Sequence, residues 1–325
     1  MKNNGFNPLL IGLLIVFVSI VVEPNLLAYS AERVVIATPS RGLSVFPALV
    51  SIRKGFYKDE GLEVDMVLMQ PTIAVKALIS GDANYLLAWG SAVRAAVTGA
   101  PIKAVVGLAS RPLHVLIARP GIKTPKDLKG KIVGVDAIAG TVDYLSRLAL
   151  RHFGLEPAKD AKLIVIGESG TRATALRAGS IDATAIDVSL AVKAEDEGFN
   201  RLLYLGDIIE LPLTGIAVTD KQIQTQREQI KRVIRATIRG TGFMKRNRED
   251  TIQMLSEYLR LTPAQAAKTY QASINSFTEN GLISDAAVNV DVQLAKERLK
   301  MTQEIPVRQL VDWSLLREIK AELPK

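Results

Sequence analysis

The apolar residues of this chain fall into short continuous runs separated by stretches with helical spacing, the pattern of buried strands alternating with covering helices. A strand is expected over Arg33–Thr38, a loop over Pro39–Leu43, and a helix from Ser44 to about Lys54 with Ser44 placed to cap it and Gly55 to stop it. A strand at Leu62–Met69 leads through Gln70-Pro71-Thr72 into a helix, and a strand at Asn84–Trp89 leads through Gly90-Ser91 into another. Ile102–Ser110 and His114–Arg119 read as two further strands divided by Arg111-Pro112. After turn-rich residues beginning at Pro120-Gly121 the alternation resumes with strand Lys131–Asp136, helix Gly140–Phe153, strand Lys162–Ile166, helix Thr171–Ala178 and strand Ile181–Asp187. Leu213–Thr219 is one more apolar segment, placed to lead back to the first half. From Asp220 the spacing turns helical: Gln222–Arg246, Arg248–Leu259, Pro263–Ser276 with Thr262 as cap and Pro263 at the first helical position, Ala286–Thr302 and Val307–Leu323. These helices are expected to cover mainly the first half.

The pattern also repeats. Ala77–Ser91 and Ala175–Ser189 match at Ala77/Ala175, Leu78/Leu176, Gly81/Gly179, Asn84/Asp182 and Ser91/Ser189, all at one offset, which also pairs Gly42 with Gly140. Two halves sharing one β-α-β plan predict two α/β lobes: 31–118 with 214–325 as a discontinuous first lobe, and 119–213 as the second. In such sheets ligands sit beyond the carboxyl ends of the strands, at helix amino termini. A cleft between hinged lobes is the expected site.

A length of 325 residues suits two domains, and 48% hydrophobic with 23% charged residues suits a folded globular chain. Lys2, the apolar run Leu9–Val22 and the small residues Ala28-Tyr29-Ser30 predict an export signal over residues 1–30, cut after Ser30. An uncut leader would act as a membrane anchor instead. With no cysteine, disulfides, thiol nucleophiles, thiolate metal sites and a lipidated cysteine are excluded. The net charge of +8 comes from scattered basic residues, not clusters interleaved with aromatics, and with export this argues against nucleic acid as a partner.

Catalytic constellations are lacking. His114 and His152 belong to no metal-ligand spacing and read as structural, and no nucleophile elbow, phosphate loop or dinucleotide fingerprint occurs. No cofactor, metal or catalytic residue is expected. What the chain supplies is a set of strand-to-helix junctions with small and polar residues: Ser40, Arg41, Gly42 and Ser44; Gln70 and Thr72; Trp89, Gly90 and Ser91; Gly140 and Thr141; Glu168; Asp187 and Ser189. Free N–H groups at helix starts hold polar or anionic groups, glycine admits close approach, and hydroxyls add direction. Arg41 and Arg111 are candidate anion clamps, and Trp89 a candidate stacking surface or core residue. Glu168 and Asp187 either receive an amine or neutralise helix ends. The alternative for Ser44, Thr72, Ser91, Thr141, Thr171 and Ser189 is simple helix capping.

PALVSIRKGFYKDEGLEV (47–64), ALISGDANY, LKGKIVGV, Gly140-Thr141, Gly154-Leu155 and ALRAGSIDATAID together resemble the periplasmic solute-binding proteins that serve ABC importers for alkanesulfonates, taurine, nitrate and thiamine pyrimidine precursors. The resemblance runs from about Val34 to about Asn247. It departs at Asp187-Val188-Ser189, where many relatives carry an aromatic or Glu-Pro turn. The resemblance implies a two-lobed periplasmic binding protein type II fold, with mixed sheets flanked by helices and a helical carboxyl-terminal region. It further implies a monomeric, periplasmic receptor that closes on a small anionic or heteroaromatic solute and is read by a permease, its only link to the membrane unless the leader persists. The competing expectations are an enzyme on the same fold and a sensory or tripartite-transporter receptor.

Overall fold

Runs such as VVIA and AVVGLA carry no polar side chain because their strands are covered on both faces, and Val34, Ile36, Val105 and Val106 are indeed sealed from solvent. The computed structural model describes residues 31–157 and 159–322, so the expected leader lies outside the described residues. In chain order the elements are β1 (Glu32–Thr38), α1 (Phe46–Arg53), α2 (Phe56–Asp59), β2 (Leu62–Leu68), α3 (Pro71–Ser80), β3 (Tyr85–Leu87), α4 (Trp89–Val97), β4 (Ile102–Ala109), β5 (His114–Ala118), β6 (Lys131–Val135), α5 (Thr141–His152), β7 (Ala161–Val165), α6 (Ser169–Arg177), β8 (Ala183–Asp187), α7 (Val188–Asp196), β9 (Asn200–Tyr204) and β10 (Thr214–Thr219). Helices α8 (Asp220–Thr225), α9 (Arg227–Arg246), α10 (Arg248–Leu259), α11 (Pro263–Ser273), α12 (Asp285–Leu299) and α13 (Ser314–Glu322) follow.

Two five-stranded mixed sheets result, ordered β2-β1-β3-β10-β4 and β7-β6-β8-β5-β9. The orders are equivalent: three parallel strands, then one antiparallel strand, then an edge strand. The antiparallel member of each sheet arrives just after the chain has crossed from the other sheet. Leu213–Thr219 thus returns to the first sheet as expected, as β10. His114–Ala118, expected with the first lobe, instead runs in the second sheet between β8 and β9, so the first crossing lies at residues 110–113. An apolar strand reads the same in either sheet, and only the pairing assigns it.

The internal repeat is structural. The Asn84 side chain accepts the Val35 N–H at 2.7 Å, and the matching Asp182 accepts the Ile132 N–H at 2.9 Å. Each fastens the start of its third strand to the first. Gly81 and Gly179 both end helices with positive φ, 89° and 76°, where a side chain would strain the turn.

The carboxyl-terminal helices differ in detail from expectation. The first breaks at Gln226, whose φ of −131° and ψ of 32° leave the helical region and divide α8 from α9. Residues 307–309 form only a 3₁₀ turn because Val311 pairs with Ala104 at the sheet edge before α13 begins. Thr262 caps α11 as expected, accepting the Gln265 N–H at 3.2 Å, with Pro263 at the first position. The helices also serve both sheets: α9 packs on α1, whereas Gln265 and Lys268 of α11 bond Asp196 at the end of α7.

Candidate functional site

The strand ends of the two sheets approach each other around a cavity of about 260 Å³. Its wall takes Ser40 and Ser44 from the turn after β1, the amino end of α4 after β3, Thr141 from α5, and His114 and Asp187 from β5 and β8. Leu211 to Thr214, on the return crossing, and Asp291 of α12 complete it. Both sheets and a connecting strand therefore contribute.

Of the candidate cap hydroxyls, those of Ser44, Ser91 and Thr141 belong to residues of this wall. Ser44, expected to cap α1, lies in a 3₁₀ turn with Val45 in the cap position, and its hydroxyl donates to Ser40 Oγ at 3.3 Å. Ser40 Oγ in turn accepts the Gly42 N–H at 2.9 Å. Among the described residues, none of the six candidate hydroxyls makes a side-chain capping bond. Gly42 and Gly140 hold equivalent extended conformations before their helices, with φ of −84° and −79°. A β-carbon on Gly42 would lie 3.7 Å from Asp187 Oδ1, so the two sheets nearly touch there, and one on Gly140 would strike the Asp136 carboxyl.

Of the other expected residues, Gly90, Ser91 and Trp89 line the cavity. Trp89 is nonetheless a core residue, 1% exposed and stacked on Trp313 at 6.2 Å between ring centroids. Arg41, Gln70, Thr72 and Glu168 are exposed and outside the wall, and Ser189 is buried behind it. Arg111 pairs with Glu210 at 3.3 Å and lines a separate cavity of about 220 Å³ with Tyr204. The expected arginine clamps are thus not in the wall.

The charged groups that do line it were not singled out from sequence, Asp187 apart. Arg94 stands one helical turn beyond Ser91 and donates to its Oγ at 3.4 Å, a spacing that could have revealed it. Asp291 belongs to a distant helix and carried no signal. Burial raises the Asp291 carboxyl to about 6, against the pull of Arg94 and of Trp89. Trp89 Nε1 lies near this carboxyl without hydrogen-bond geometry, leaving Trp89 Nε1 and Asp291 Oδ2 buried and unpartnered.

His114, expected to be structural, is the cross-strand partner of Asp187 and lines the cavity. Burial lowers its pKa despite Asp187, which keeps the imidazole neutral near pH 7, and its Nδ1 has no partner. Burial raises the Asp187 carboxyl, opposed by His114 and by Arg172. The Arg172 guanidinium is buried behind them, donating to Ala185 O at 3.0 and 3.2 Å and to Gly167 O. No group of three or more metal-ligating side chains occurs among the described residues, and no helix among them is long and apolar enough to cross a membrane.

Residues 44–251 match the model of the family described as NMT1/THI5 like. The chain belongs to the NMT1/THI5-like family. Among curated proteins this family member is 25% identical, over 66% of its own length, to the riboflavin-binding protein RibY of Chloroflexus aurantiacus, and the match spans 62% of that protein. It is 28% identical to a putative binding protein of Brucella abortus, over 74% of this chain and 76% of the relative. Its fold is that of the periplasmic aliphatic sulphonate binding protein SsuA from Escherichia coli, with a TM-score of 0.72 and 17% identity over 88% of this chain and 99% of the other. The periplasmic nitrate-binding protein NrtA from Synechocystis gives 0.70 and 12% over 90% and 89%. These neighbours carry the type II architecture expected from the resemblance.

Proposed function

We propose that this chain is an exported solute-binding protein that holds a small metabolite between two lobes and presents it to the permease of an ABC importer. The carrying observation is the cavity between the strand ends, lined from both sheets and by the return crossing. A solute touching both sides is held only when the sides are together, so its binding energy favours the closed arrangement. The lobes of this reading are residues 31–109 with 214–322 and residues 114–204, joined by the crossings at 110–113 and 205–213.

The cavity volume supports a small solute, since sites for drug-sized ligands run from roughly 300 to 1,000 Å³. The relatives named as binding proteins support binding over turnover, as does a wall with neither a nucleophile paired to a base nor a metal-ligand set. Export rests on residues 1–30 and on the periplasmic neighbours. A thermal-shift screen of the mature chain against sulfonates, nitrate, aromatic carboxylates and nitrogen heterocycles tests the reading. At least one compound should stabilise the protein and be recovered unchanged after denaturation. A converted product would favour an enzyme on this fold.

A further inference from the structure

We propose that the base of the second sheet, at the end of its strands away from the cavity, carries a lysine surface that holds this protein against an anionic phospholipid bilayer. This goes beyond the solute-binding reading and does not depend on it. Basic residues scattered in sequence between Lys123 and Lys162 meet there. β6 begins at Lys131 and the edge strand β7 at Ala161, in parallel register with Ile132 opposite Lys162. The turns that lead into the two strands join where the Gly130 N–H donates to Asp160 O at 2.6 Å. Lys123, Lys126, Lys129 and Lys131 enter on the first turn and strand, and Lys159 and Lys162 on the second; all but the half-buried Lys131 are exposed.

Three carboxylates share this end, those of Asp127, Glu156 and Asp160, and two of them are turned toward the backbone. Asp127 accepts the N–H groups of Lys123 and Thr124 at 3.0 and 2.8 Å, closing the turn before β6. Asp160 accepts the Glu156 N–H at 2.9 Å and meets Lys129 at 3.6 Å, yet the Lys129 side chain is 72% exposed and that of Asp160 17%. The other five lysines form no ion pair among the described residues. At the same end Arg119 is instead paired with Asp182 at 3.6 Å. The lysines therefore present a positive charge that their own surface does not neutralise.

Residue type decides which partner fits. Interfaces between folded proteins are poor in lysine and are anchored by aromatic residues, Met and Arg. Here the apolar neighbours Ile122 and Leu128 are buried, 4% and 0% exposed, and leave no such anchor. None of the six lysines lines either cavity described above, so they are not gathered around one small anion. A lysine ammonium is a strongly hydrated point charge on a flexible stem, which suits a diffuse plane of lipid phosphates. Each lysine close to such a plane adds about fivefold in partition. Contact through this end leaves the cavity, at the other end of the strands, uncovered.

The test is co-sedimentation of the full mature chain with vesicles of three parts phosphatidylcholine to one part phosphatidylglycerol, against pure phosphatidylcholine. The mixed vesicles should bind the protein and the neutral ones should not, and binding should weaken as salt rises from about 0.01 to about 0.15 M. Lys126→Glu/Lys129→Glu/Lys162→Glu should weaken binding more than about a hundredfold. The control Lys58→Glu/Lys76→Glu/Lys221→Glu, which reverses the same charge at exposed positions of α2, α3 and α8, should weaken it less than about fivefold. If the first triple does not fold, Lys126→Gln/Lys129→Gln/Lys162→Gln replaces it, with an expected loss of about fiftyfold. Equal losses in the two triples would reduce the effect to overall charge. That result, equal binding to neutral vesicles, or a wild type that ignores the mixed ones would overturn the inference, and none of them bears on solute binding, which the thermal-shift screen reads separately.

Discussion

At the residue scale, the repeat is a statement about hydrogen bonds. Asn84 and Asp182 match in sequence because each closes a strand N–H that would otherwise be orphaned beside a buried sheet. Replacing either by alanine should cost about 1–2 kcal/mol in urea unfolding, the size of a buried hydrogen bond with its desolvated donor left behind. Equal stability of Asn84→Ala and wild type would show the repeat to be coincidental there. Asp291 makes a pH prediction. Its carboxyl stands near 6 in the folded protein against 3.8 unfolded, so the native state holds the proton more tightly. That contribution is complete below about pH 3.8 and is lost as pH rises through about 6. Wild-type stability should fall relative to Asp291→Asn across this window, by a difference on the order of 3 kcal/mol at two pK units. Parallel stability curves for the two proteins would refute the assignment.

At the element scale, most strands and helices were legible because burial writes their period into the chain. The errors fell where tertiary contact overrides the local pattern. Residues 307–313 have helical spacing, yet Val311 bridges to Ala104 and draws the segment straight. Ser44 looks like a cap, but the turn before α1 tightens by one residue and hands its hydroxyl to Ser40. Between α1 and α9 the deciding contact is a glycine. A β-carbon on Gly240 would run into Ser51 Oγ and come within 2.5 Å of the Pro47 carbonyl, in a contact that also holds the Ser51 hydroxyl on Ala236 O at 2.9 Å. Gly240→Ala should therefore destabilise the protein by about 1–3 kcal/mol despite alanine's better helix propensity. A stabilised variant in chemical denaturation would mean that the helices part easily.

At the scale of the whole molecule, the two-half plan and the place of a cavity between strand tips could be read from one repeat, whereas the membership of β5 and the charges in the wall could not. Asp291 enters from a helix more than a hundred residues beyond Asp187, and no periodicity announces such a meeting. Arg41, a candidate anion clamp in the loop after the first strand, is exposed and not among the lining residues, whereas Arg94 lines the cavity. The central claim is that this cavity holds the solute. Native mass spectrometry tests it most directly, on protein recovered from the periplasm as wild type and as Ser91→Trp, whose indole would fill the space beside Arg94. The account predicts a small molecule released from the wild type on denaturation and missing from a folded Ser91→Trp. A wild type without bound mass, or a variant that carries the same solute, would contradict it.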